Sequence, residues 1–214
     1  MELKHIFEVV NGALHQENAA REEALELSRN SIRFSANSIR AVHREDMDES
    51  HKLLEDARET VMRAMNILAP FPRTYFAGFL QNAEKEYAEA SATLALIEGR
   101  PLPLPGDLKV GTAPYLNGLG EAVGELRRHS LDLIRMNRLE RGEEFLGLMD
   151  DIYYLLASID YPDALTGGLR RTNDMVRGVL ERTRGDLTTA IRRDSLERTM
   201  KKLEEKLDKS GLKK

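Results

Sequence analysis

The sequence predicts an all-α fold, on three observations. Apolar residues recur at three- and four-residue intervals along most of the chain. No segment shows convincing two-residue alternation, and the breaks fall at a few stretches bearing proline or glycine. The expected architecture is a layered helical bundle, read as one domain over 1–214, with 1–16 and 194–214 as helical extensions or a partly flexible tail.

The elements follow in order. Between about Glu17 and Arg44, Leu25, Ile32 and Ile39 repeat every seven residues, with Ser28, Ser35 and Val42 three beyond each. That is an a/d seam whose small serines let a neighbouring helix approach closely. A second helix is expected from about Asp48 to Leu68, stopped by "PFP" at Pro70 and Pro72. A third is expected from about Thr74 to Glu98, with the stripe Phe76, Phe79/Leu80, Ala83, Tyr87, Ala90, Leu94 and Ile97, and Gly99 as its stop. The alternating prolines of "GRPLPLPGDLKVGTAP" then predict an extended loop. Thr112 and Pro114 suit the start of a fourth helix reaching about Met136. A fifth is expected from about Leu139 to Ile159, and a sixth from near Gly168, broken around Gly185. No repeat of solenoid period is present.

Composition narrows the function classes. The 214 residues are 41% hydrophobic and 32% charged and contain no cysteine, which excludes disulfides, thiol nucleophiles and zinc-finger sites. The start "MELKHIFEVV" lacks the pattern of a signal peptide, and no run approaches the ~20 apolar residues of a membrane span. A cytoplasmic location without membrane contact is the expectation. Net charge is −4, but residues Gly168 to Lys214 carry 14 Lys and Arg against 8 Asp and Glu. That segment is at +6 and the rest of the chain at −10, an asymmetry that fits either an anionic partner or a solvated terminal helix. Walker, GxGxxG, GxSxG and HExxH motifs are absent. With no tryptophan and few aromatics, a stacking platform for single strands is disfavoured.

Two constellations remain. Glu86 and Glu89 in "EYAEASATLALIEG", and Glu121 and Glu125 in "GLGEAVGELRRHS", are acidic pairs three and four apart, each pair sharing a helix face. Spacing leaves two readings: a solvated face, as at Glu22/Glu26, Glu55/Glu59 and Glu140/Glu144, or a hard-oxygen site for Mg²⁺ or Mn²⁺ if the two helices adjoin. A ferritin-like di-iron site is disfavoured, because only Glu2–His5 has the Glu-x-x-His spacing and His129 is four from Glu125. The second constellation is Arg29, Arg33, Arg40 and Arg44, which fall within about 60° of one another around a helix. They form a ribbon roughly 22 Å long, with Asn37 near the same line and His43 to one side. Such a row suits a phosphate backbone, or a solvated face with Glu22 and Glu26 as partners. Arg127 and Arg128 are expected to bring positive charge near the carboxylates, for substrate phosphates or for the glutamates themselves.

The stretches "REEALELSRNSIRFSANSIRAVHR", "FLQNAEKEYAEASATLALIEGRPLP", "YLNGLGEAVGELRRHSLDLIR" and "FLGLMDDIYYLLASIDYPDALTGGLRRTNDMVRGVLERTRGDLTTA" resemble the translin–Trax family, from about Arg21 to Ala190. The resemblance implies about seven helices and assembly into a hollow, octamer-like homo-oligomer around RNA or DNA. Translin-like members bind nucleic acid without chemistry, whereas Trax-like members are endoribonucleases with acidic residues on two adjacent helices. The Trax-like pattern Glu-x-x-Glu, in a context like "QEYVEA", is matched by "KEYAEA" at Glu86 and Glu89. The pattern Asp-x-x-x-Glu, in a context like "GDVTGEL", is matched by "GEAVGEL" at Glu121 and Glu125, with Glu in place of Asp at the first position. The resemblance therefore implies an endoribonuclease whose Mg²⁺, or Mn²⁺, is held by Glu86, Glu89, Glu121 and Glu125. Its expected partner is single-stranded or short duplex RNA, with single-stranded DNA as a further candidate. The alternatives are a translin-like binding protein and a helical scaffold for another protein.

Overall fold

The computed structural model of the protein describes residues 2–209; Met1 and residues 210–214, the end of the expected tail, lie outside the described residues. The described chain is all-α, with no strand among the described residues. Six long helices carry the fold: α1 (Glu2–His43), α2 (Met47–Leu68), α4 (Phe79–Ile97), α6 (Thr112–Arg135), α7 (Leu139–Ala157) and α9 (Leu169–Lys209). Three four-residue turns lie between them: α3 (Pro72–Tyr75), α5 (Pro105–Leu108) and α8 (Asp163–Thr166). No helix among the described residues is long and apolar enough to cross a membrane.

The helices form two groups. α1, α2 and α4 pack on one another, as do α6, α7 and α9, and the contact of α4 with α6 joins the groups. The first group uses the serine seam. Ser28, Ser31, Ser35 and Ser38 are buried, deeper than Leu25 and Ile32 of the expected apolar stripe. Ser31 Oγ donates to the Ala57 carbonyl at 3.0 Å, and Ser38 Oγ to the Ser50 carbonyl at 3.0 Å. Small side chains let α2 come near, and each bond satisfies a hydroxyl that burial would otherwise leave unpaired. The second group closes over Phe145, Met149, Leu156 and Leu187, all fully buried.

Three boundaries are set by the structure. α1 begins at Glu2, so the stretch expected as a helical extension or flexible tail over 1–16 is continuous with the seam helix, and it leaves Leu3, Phe7, Val10 and Leu14 exposed. Leu3, Phe7, Val10 and Leu14 are spaced as one helical stripe, and that stripe stays uncovered here. The expected third helix is split: α3 ends, Gly78 at φ +99° reverses the chain, and α4 starts at Phe79. The Gln81 side chain secures that turn, accepting from Gly78 N–H at 3.0 Å and donating to the Tyr75 carbonyl at 2.9 Å. α9, in contrast, runs through Gly185 unbroken. A mid-helix glycine costs about 1 kcal/mol, and ion pairs on both sides hold the segment straight. These are Arg184 to Asp150 of α7 at 2.7 Å and Asp186 to Arg127 of α6 at 2.8 Å.

Candidate metal centre and nucleic-acid interface

The acidic pairs meet where the two helical groups join. Glu86 and Glu89 lie one turn apart on α4, and Glu121 and Glu125 one turn apart on α6. Gly118 brings these helices together: a Cβ there would sit 2.5 Å from the Lys85 carbonyl oxygen and 3.0 Å from the Glu89 nitrogen. No residue with a side chain could hold this crossing without moving α4. Carboxylate oxygens of Glu86, Glu89 and Glu121 then fall within 4.8 Å of one another.

Crowding and burial set the electrostatics. Glu89 is only 9% exposed. Burial first, and then the charges of Glu86, Glu121 and Glu125, push its carboxyl up to about 8, against a smaller opposing effect of Lys85. Glu125 is held below the usual carboxylate range, chiefly by its hydrogen bond with His43. The two side chains meet at 2.5 Å, with His43 Nε2 on Glu125 Oε2. Arg128 stands 4.0 Å from the same oxygen. Lys85 enters from the other side, its Nζ 2.5 Å from Glu121 Oε2 and 3.2 Å from Glu86 Oε1. Burial works against the charge of that ammonium, but its two carboxylate partners outweigh it and raise its pKa.

The donor set is three close carboxylates with a fourth joined to them electrostatically, and hard oxygen donors of this kind match Mg²⁺ or Mn²⁺. Lys85 contacts only Glu86 and Glu121, and buried Glu89, pushed up to about 8, would gain from further positive charge beside it.

Two residues of this constellation escaped sequence reasoning. His43 was legible only as a neighbour of the arginine ribbon, because its partner is 82 positions away. Lys85 directly precedes Glu86, and adjacent residues on a helix do not face each other. Its long stem nevertheless bends back into the cluster. Arg128 lies where expected, but Arg127 does not. It turns to α9, pairing with Asp186 and donating to Thr183 Oγ1 at 3.1 Å.

No protein-family profile matches the chain. An uncharacterised protein of Methanocaldococcus jannaschii is 33% identical over 193 residues, 89% of this chain and 85% of that protein. The structure of AfC3PO, from Archaeoglobus, in complex with duplex RNA superposes with a TM-score of 0.77 at 32% identity, covering 89% of this chain and 96% of that one. The chain belongs to the translin–Trax family. Apo-NeC3PO, from Nematostella, shares the fold at a TM-score of 0.77 and 21% identity, over 86% of this chain and 96% of its own.

Glu121 carries one methylene more than the aspartate expected there from the Trax-like pattern. The extra methylene does not remove it from the cluster, because its carboxylate still lies within 4.8 Å of those of Glu86 and Glu89. The ribbon is a separate surface. Arg29, Arg33 and Arg40 on α1, and Arg44 in the turn just beyond it, are all exposed. Arg40 donates to Asn37 at 2.9 Å, and the Arg33 guanidinium lies 5.5 Å from the centre of the Phe34 ring. Among the described residues none of the four is in an ion pair, and Glu22 is taken by Arg21 instead.

Proposed function

We propose that the protein is a metal-dependent endoribonuclease of the Trax-like type, cleaving RNA phosphodiester bonds inside a homo-oligomer, in which Glu86, Glu89, Glu121 and Glu125 hold Mg²⁺ or Mn²⁺. The observation that carries this reading is the convergence of these carboxylates from α4 and α6 at the join of the two helical groups. Held by these four residues, such an ion would supply activation of a water and stabilisation of the leaving oxygen.

The protein's own residues do the rest. Glu89 gives up its proton as the site takes up positive charge, so occupancy rises with pH toward about 8. His43 fixes the orientation of the Glu125 carboxylate. Exposed Arg128, beside Glu125, is placed to meet a phosphate oxygen. The unpaired ribbon of Arg29, Arg33, Arg40 and Arg44 holds the RNA backbone through sequence-independent, salt-dependent contacts. AfC3PO, solved with duplex RNA, supports RNA as the ligand class. The exposed apolar residues at the two helix ends, Leu3, Phe7 and Val10 on α1 and Leu196, Met200 and Leu203 on α9, support assembly of several copies, with the octamer as the expected form.

The test is cleavage of quencher-tagged single-stranded and duplex RNA by the purified chain with Mg²⁺, with Mn²⁺ and with EDTA. Expected is metal-dependent cleavage that Glu125→Ala abolishes, with single-stranded DNA acting as a competitor at most. Tight, salt-dependent binding without cleavage would instead support a translin-like binding protein, for which the exposed ribbon is sufficient.

A further inference from the structure

One cation already stands among the carboxylates. Lys85 Nζ contacts Glu121 at 2.5 Å and Glu86 at 3.2 Å, two of the three groups that define the cluster. The same Lys85 and Glu121 also line a cavity of about 1170 Å³ on the far side, between the start of α4, residues 109–114 and the beginning of α9. Lys85 and Glu121 therefore belong both to the cluster's contacts and to the lining of the cavity. The cavity offers a phosphate two further cations, Lys109 and Arg171, both exposed and neither in an ion pair among the described residues. At its edge lie Thr112 and Ala113, whose backbone N–H groups open α6.

We propose that Lys85 is a displaceable cation, which holds Glu86 and Glu121 together in the metal-free protein and is released into the adjoining cavity when a divalent ion enters, there to hold a phosphate of the RNA next to the cut. The inference rests on reading the carboxylates as a metal site. A divalent ion shared by Glu86 and Glu121 would lie within a few ångströms of the present ammonium position. Like charges at that range repel strongly in a partly buried site. Lysine suits an exchange of this kind, because its compact charge rides on a flexible four-carbon stem, whereas arginine would be locked in a bidentate pair. In the Trax-like context "QEYVEA" the residue before the first glutamate is an uncharged Gln; this chain has Lys85 there.

The test titrates the full-length chain with Mn²⁺, without RNA, by calorimetry. Lys85→Met should bind Mn²⁺ about tenfold more tightly than the parent, since the competing charge is gone. Lys85→Arg should bind no more tightly than the parent. A second measurement needs no variant: acetylation of Lys85 by an N-hydroxysuccinimide ester, read by peptide mass spectrometry, should rise several-fold when Mg²⁺ is added. With Ca²⁺ as the ion, short RNA should suppress that rise. Unchanged acetylation with Mg²⁺, or Mn²⁺ binding by Lys85→Met no tighter than the parent, overturns the displacement. Loss of the phosphate contact is indicated if RNA leaves the acetylation unaltered. If the parent itself binds no Mn²⁺, or Glu89→Gln leaves binding intact, the metal-site reading fails first, a result distinct from the other two.

Discussion

The acidic cluster and the arginine ribbon are both rows of like charge on helices, yet the fold treats them oppositely. The cluster lies in the α4–α6 join, where burial and mutual repulsion lift Glu89 to about 8 and where Lys85 and His43 supply positive or hydrogen-bonding partners. The ribbon lies along α1 and the turn that follows it, exposed and without carboxylate partners among the described residues. Charges gathered in a partly buried join demand a counter-ion, because low local dielectric magnifies their repulsion. Charges spread about 22 Å along a wet surface demand none and stay available to a polyanion. The first arrangement suits chemistry on one phosphate, the second suits holding many.

The comparison breaks most sharply at Glu89. Glu89→Gln should lower RNA cleavage on the order of a hundredfold or more, given that even groups one layer removed from a metal are worth 10–100-fold. RNA affinity measured in EDTA should stay near the parent value, because the ribbon is untouched. Parallel loss of binding would mean that the two regions are not separate in function.

Next in size is Gly118. Gly118→Ala places a Cβ 2.5 Å from the Lys85 carbonyl and must spread α4 from α6. Overpacking of this kind costs about 1–3 kcal/mol, measurable by denaturant unfolding, and Mn²⁺ affinity should fall with it. An unchanged midpoint would show that the crossing has slack.

Stability should also respond to pH. Glu89 and buried Glu84, which burial raises to about 7, both lie above their ordinary value of 4.5. The folded state therefore binds more protons than the unfolded state between pH 4.5 and about 8, so the metal-free protein loses stability as pH rises through that range. The fall should be on the order of a few kcal/mol, flatter in Glu89→Gln, and reversed by Mg²⁺. Thermal unfolding across that range with EDTA or Mg²⁺ checks the sign.

Smaller effects belong to the arginines. Each of Arg29→Ala, Arg33→Ala, Arg40→Ala and Arg44→Ala should weaken RNA binding several-fold and lower the slope of log K against log salt by roughly 0.7–0.9. Arg127→Ala is the contrast. Its partners are Asp186 and Thr183, so RNA binding should hold, and stability should fall by no more than about 1 kcal/mol, as for a largely solvated ion pair. A salt-slope change for Arg127 as large as for Arg33 would erase the distinction between the two arginine sets.

How much could be read without coordinates differs by element. The six long helices were legible because each buries a stripe that repeats with the helical period, and the acidic pairs because i, i+3 and i, i+4 spacing fixes a shared face. The turn at Gly78 and the continuity of α9 through Gly185 were not. Positive φ and cross-helix ion pairs leave little periodic trace.

The amino-acid sequence by itself determined that the chain is helical, that four glutamates lie in two same-face pairs, and that four arginines make one line, since these are properties of single helices at 100° per residue. Only the tertiary structure decided that the pairs meet, that Arg127 turns away, and that Lys85 and His43 complete the cluster. Those outcomes depend on the close crossing at Gly118 and on partners up to 82 residues apart, and no local periodicity encodes a distance between two helices.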